Sequence, residues 1–73
     1  MKEFKGIAKM ECELGYTIIF KAWQDRIYIN REGRSVRNSG LGYITRKDKE
    51  FHPNYGCASL APDVKRFLEE YSI

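Results

Sequence analysis

The chain has 73 residues, a formal net charge of +3 and a pI near 9.0, and 42% of its residues are hydrophobic. A chain this short supplies one core, so we expect a single domain over residues 1–73. An aromatic content of 14% excludes a disordered chain. No run approaches the roughly 20 apolar residues of a membrane span, and the N-terminus lacks the apolar core of a signal peptide. We therefore expect a folded, cytoplasmic protein without a membrane partner.

Alternation of apolar and polar residues predicts strands through the first two thirds of the chain. Apolar residues fall mostly on the even positions of 4–14 and again of 16–23, and a tight hairpin around Glu13-Leu14-Gly15 joins these two strands. A turn at Gln24-Asp25 leads into a third strand over 26–31, with Ile27 and Ile29 on the core side. Shorter strands are expected at 35–37, 41–45 and 50–52, with a loop at 38–40 and a stop at Pro53.

The period changes near the C-terminus. Apolar side chains recur there at i, i+3, i+4 and i+7, namely Val64, Phe67, Leu68 and Tyr71. Pro62 suits a first helical position and Asp63 complements the dipole there, so a helix is predicted over about 62–71. The sequence therefore predicts an α+β fold. An antiparallel β-meander of about four to five strands (about 4–52) packs against one C-terminal helix.

Basic residues are concentrated in the middle of the chain. Residues 26–49 hold seven basic side chains against two acidic ones: Arg26, Arg31, Arg34, Arg37, Arg46, Lys47 and Lys49. Arginine forms bidentate contacts with phosphates, and cations along a hairpin can follow a nucleic-acid backbone. Nucleic acid, a nucleoprotein or an acidic protein surface is the expected partner. A solvated charged surface is the simpler alternative.

The sheet face away from the helix provides a second candidate surface. Strand parity sends Ile7, Ile19, Trp23 and Tyr28 to that face beside Lys5, Lys9, Lys21 and Arg26. Aromatic rings among cations stack on unpaired bases, and they also anchor protein interfaces. We count Lys21, Trp23 and Tyr28 among the candidate binding residues. Alternatively, the 32–40 loop or a second copy covers this face, so both a monomer and a homodimer stay open.

Catalytic and metal sites are less well supported. Cys12 and Cys57 lack a short-spaced partner and are expected to be reduced thiols. His52 and Cys57 show no third group that would orient a catalytic dyad, and Cys12, His52 and Cys57 would need a fourth ligand to hold zinc. The glycines at 40 and 42 lack the spacing of a phosphate-binding loop. We expect no catalytic residues, no metal and no cofactor.

Two functional hypotheses follow. The first is a non-enzymatic nucleic-acid or nucleoprotein binder that uses the basic middle and the aromatic sheet face. The second is a stoichiometric protein-binding inhibitor or interaction module. In size and in its mixture of aromatic and basic residues, the chain resembles small accessory proteins of bacteriophages and mobile elements, such as anti-CRISPR proteins. This resemblance implies an inhibitor of a host nucleoprotein and assigns no functional residue.

Overall fold

The computed structural model describes residues 1–33 and 40–73. In chain order its elements are β1 (Lys2–Glu3), β2 (Ile7–Glu11), β3 (Thr17–Trp23), β4 (Arg26–Arg31), β5 (Gly42–Thr45), β6 (Glu50–Pro53), a 3₁₀ turn (Ala58–Leu60), α1 (Ala61–Glu70) and β7 (Tyr71–Ser72). No helix in the described part of the chain is long and apolar enough to cross a membrane.

The main sheet is a five-stranded antiparallel meander in which sequence neighbours are also spatial neighbours, in the order β2-β3-β4-β5-β6. With α1 following it, the predicted α+β architecture is confirmed. The predicted turn at Gln24-Asp25 joins β3 to β4, and the predicted strand over 26–31 is β4. The strand expected at 35–37 and most of the loop expected at 38–40 lie outside the described residues.

The core lies between one face of this sheet and α1. The side chains of β3, β4 and β5 that point to this face have no solvent exposure: Ile18, Phe20, Ile27, Ile29 and Ile44. From the helix, Phe67 stacks on Phe20 with ring centroids 3.9 Å apart and an angle of 5° between the rings. Packing of the helical stripe on this face is confirmed. The helix itself begins one residue before the predicted range and ends at Glu70, because Tyr71 has extended backbone angles.

The strand predicted within residues 4–14 corresponds to β2 and is shorter than its apolar pattern suggested. Phe4, Ala8 and Cys12 are buried on the core side, but pairing with β3 covers only Ile7–Glu11. Leu14 continues the even-numbered pattern and is nevertheless two-thirds exposed. It sits in the hairpin, where Gly15 donates a hydrogen bond to the Cys12 carbonyl and the strand parity ends.

A second, two-stranded sheet was not expected. β1 pairs in parallel with β7, with Lys2 opposite Tyr71 and Glu3 opposite Ser72. This pairing brings Phe4 edge-on to Phe67, with centroids 5.5 Å apart. The two ends of the described chain are thereby tied together over the helix side of the core.

Asp63 links the helix to the β2-β3 hairpin. Its carboxylate is 1% exposed, accepts a hydrogen bond from the Glu13 backbone N–H at 3.1 Å and pairs with Arg66 at 3.3 Å. Arg66 also donates to the Glu11 carbonyl. The sequence had suggested only a helix-dipole role for Asp63. In the fold it joins two elements distant in sequence, and its burial requires those partners.

We predict that Phe67→Ala will strongly destabilise the fold. Loss of a buried aromatic ring costs about 3–5 kcal/mol, a large part of the stability of so small a domain. Urea unfolding followed by circular dichroism measures this. The control is Glu69→Ala on the exposed side of the same helix, which should change stability by less than about 0.5 kcal/mol. Equal midpoints for the two variants would contradict this account of the core.

Candidate functional site

The face of the sheet opposite α1 carries side chains from all five strands. Because neighbouring strands are paired in register, residues directly opposite each other form rows across the sheet. One such row runs from β2 to β6 through Ile7, Lys21, Tyr28, Tyr43 and His52. The adjacent row, nearer the β3-β4 turn, holds Trp23, Arg26, Thr45 and Glu50.

Four rings in these rows lie side by side, and we name them the aromatic face: Trp23, Tyr28, Tyr43 and His52. Ring centroids are 6.3 Å apart between Trp23 and Tyr28 and 6.1 Å apart between Tyr28 and Tyr43, with tilts of 42° and 55°. His52 is stacked on Tyr43 at 4.7 Å with an angle of 17°. The aromatic face is therefore a continuous series of rings that crosses the strands.

Arg26 lies within the aromatic face. Its guanidinium carbon is 4.3 Å from the centroid of the Tyr43 ring. Because β5 lies between β4 and β6, Arg26 and His52 approach Tyr43 from opposite sides. Arginine is permanently cationic, and hydrogen bonding to Tyr28, followed by the electrostatic interaction with Tyr43, raises the pKa of Arg26 further. Arg26 and His52 thus occupy the two faces of the Tyr43 ring, whereas the Trp23 side chain is largely exposed to solvent.

Exposure separates the members of this surface. Trp23 is 61% exposed and Ile7 55% exposed, which is high for large apolar side chains in strands. Ile19 and Tyr28 are half-buried, and Lys21 is exposed between Ile7 and Tyr28. Sequence parity had assigned Ile7, Ile19, Trp23 and Tyr28 to this face, and the register of β2, β3 and β4 places them there.

Two cations predicted for this face lie beside it or are already paired. Lys9 forms an ion pair of 2.6 Å with Glu32. Lys5 is exposed but precedes β2, next to Gly6. Within residues 1–33 and 40–73, Lys21 and Arg26 are the cations that lie directly among the rings.

The basic residues from the middle of the chain that the structure describes are not gathered into one patch. Arg31 shares the parity of Ile27 and Ile29, and its guanidinium lies 4.3 Å from the Tyr16 ring centroid on the helix side. Arg46 lies near Phe4, with 5.8 Å between the guanidinium and the ring centroid. These two arginines are at opposite ends of the sheet, because Arg26 at the start of the six-residue β4 pairs with Thr45. At about 3.3 Å per residue, the two ends of β4 are about 17 Å apart.

The remaining basic candidates have different positions. Lys47 and Lys49 are exposed in the β5-β6 turn, at the same end of the sheet as Trp23 and Arg26. Arg34 and Arg37 lie outside the described residues.

Near Arg31, burial and the Cys12 thiol raise the pKa of Tyr16, while Arg31 opposes that rise. Arg31 therefore belongs to a packed cluster away from the aromatic face.

Sequence reasoning missed Tyr43 and His52. A signal for Tyr43 was present, since an inward Ile44 sends its neighbour to the outer face. For His52 there was none, because its position depends on the β5-β6 register, in which Tyr43 is opposite His52. His52 thus lies on the outer face, whereas Cys57 packs against the core on the other side of the sheet. Cys12 and Cys57 are free, and no group of three or more potential metal ligands occurs within residues 1–33 and 40–73.

No protein-family model matches this chain, and comparisons with curated proteins and with solved structures find no match.

We predict that Gly42→Ala will destabilise the fold and shift β6, which carries His52 of the aromatic face. Gly42 has φ +145°, and a Cβ there would lie 2.7 Å from the His52 carbonyl oxygen and 3.0 Å from the Pro53 Cα. The clash and the unfavourable φ should together cost about 2 kcal/mol or more and displace His52 from Tyr43. Urea unfolding and the NMR signals of the two rings measure both effects.

Gly56→Ala is the matched control for Gly42→Ala. Gly56 also has a positive φ, +81°, but a Cβ there would have nothing within 4 Å. Only the backbone cost, about 1 kcal/mol, is expected. If the two variants lost equal stability, the tight contact between β5 and β6 would not be the cause.

Proposed function

We propose that this protein is a non-enzymatic binder of nucleic acid or of a nucleoprotein, and that the aromatic face is its binding surface. The observation that carries the proposal is the continuous series of Trp23, Tyr28, Tyr43 and His52, with Arg26 held among the rings, on the sheet face opposite the helix. Bases stack on exposed rings, and nearby cations bind phosphates.

Charge around the aromatic face supports the same partner. Lys21 is exposed in the row that contains Tyr28 and Tyr43, and Lys47 and Lys49 are exposed in the turn at the Trp23 end. Their positions allow a backbone to pass beside the rings within reach of several cations. Arg31 and Arg46 contribute to the field around the molecule rather than to direct contacts at this surface.

The proposal is tested by fluorescence-anisotropy titrations with short single-stranded and duplex DNA and RNA at two salt concentrations. Affinity should fall as salt rises, because phosphate contacts release counterions. Lys21→Ala should weaken binding and reduce the salt slope by about one. Lys65→Ala removes the same charge from the exposed side of α1 and is the matched control. Absence of binding at low salt, or equal loss in both variants, would contradict the proposal.

A second candidate function is a stoichiometric protein-binding module, and one observation favours it. Ile7 is 55% exposed in the row that contains Lys21 and Tyr28, and an aliphatic side chain contributes to a protein interface more than to base stacking. Under this alternative, Ile7→Ser and Trp23→Ala would both weaken a discrete protein complex, while free nucleic acid would bind poorly.

A further inference from the structure

Resting on the proposed function, we infer that the aromatic face takes an unpaired, single-stranded nucleic acid, and that one base enters between Trp23 and Tyr28 while Arg26 contacts the strand beside it. Three observations lead to this inference: the spacing of the rings, the occupied faces of Tyr43, and the position of Arg26.

The spacing of the rings favours an unpaired strand over a stacked duplex as the ligand of this surface. Bases in a duplex repeat about every 3.4 Å along each strand, whereas the centroids of Trp23, Tyr28 and Tyr43 are 6.3 and 6.1 Å apart. Successive rings therefore match bases that have been drawn apart from one another. Only an unpaired strand presents its bases in this way, and single-stranded segments are what aromatic sheet faces stack on.

The space between the tilted rings of Trp23 and Tyr28, which we call the wedge, is where we place one such base. A planar base between two parallel rings needs about 3.4 Å on each side. The centroids of Trp23 and Tyr28 are 6.3 Å apart with a tilt of 42°, so a base fits between them once the rings turn toward parallel. Trp23 is 61% exposed, so its ring can turn to close on the base without disturbing the core. The gap between Tyr28 and Tyr43 is similar, but there Arg26 already lies over the Tyr43 ring.

Arg26 is directly opposite Trp23 in the β3-β4 register and therefore borders the wedge. Its position over the Tyr43 ring orients the guanidinium before any ligand arrives. A planar, permanently charged fork in this position suits a phosphate or a base edge on the bound strand. Arg26→Lys keeps the charge but loses the planar stacking on Tyr43, so it separates positioning from charge.

The decisive measurement uses the intrinsic fluorescence of Trp23, which is the only tryptophan in the chain. Short single-stranded DNA and RNA and the matching duplexes are titrated into the full chain. We expect saturable quenching by single strands and much less by duplexes of equal length. Parallel DNA and RNA arms show which sugar is preferred.

Variants assign the two sides of the wedge. Tyr28→Leu should weaken single-strand binding about tenfold or more, and Tyr28→Phe should largely preserve it, because a stacked base contributes roughly 1–3 kcal/mol. Tyr55→Ala removes a fully exposed ring outside the aromatic face and should leave affinity unchanged. Circular dichroism confirms that each variant is folded.

The outcomes distinguish this inference from the proposed function beneath it. Equal affinity for duplexes and single strands, without quenching of Trp23 fluorescence, would contradict insertion of a base between Trp23 and Tyr28. The proposed function, nucleic-acid binding, would still stand. Tyr28→Leu binding as tightly as Tyr28→Phe would likewise overturn it. Failure to bind any nucleic acid at low salt would remove both, and a protein partner would then be sought.

Discussion

One short helix can cover only one face of a five-stranded sheet, and the rest of the molecule follows from this constraint. The ten-residue α1 is held over the sheet by Phe67, whose ring stacks on Phe20. Phe4 packs edge-on against the Phe67 ring. All of the fully buried strand side chains point to that side. On the other face, the described side chains are exposed or half-buried, and the rings and Arg26 lie there.

The backbone of the aromatic face is held by paired strands instead of loops, while the exposed Trp23 ring can turn. Tyr28 lies on the central strand, and Tyr43 is fixed between Arg26 and His52. Close contact of Gly42 with β6 maintains the register that sets His52 opposite Tyr43. A surface held in this way loses little conformational entropy when a ligand binds, which favours affinity from few contacts.

Periodicity predicted the meander, the helix and both faces of β3 and β4, because burial on one side imposes alternation on a strand and a stripe on a helix. It could not predict β1 and β7, since paired strands of two residues have no period. Register was also out of reach, and with it the place of His52. The positions of the basic residues in space could not be predicted for a related reason. Charge counted along a sequence does not reveal that Arg31 points to the helix side.

Separation of the charges from one another clarifies how the surface works. Cations at both ends of the sheet add to an attractive field that acts over about 10 Å at moderate salt, but a field of this kind does not distinguish one polyanion from another. Discrimination requires groups that touch the ligand. Under the proposed function these groups are the rings, with Lys21 and Arg26 between them. Since every base has a π-face, such a surface selects for unpaired structure more than for sequence. Under the proposed function, shape and stacking would determine the partner, while the dispersed basic residues would accelerate the encounter.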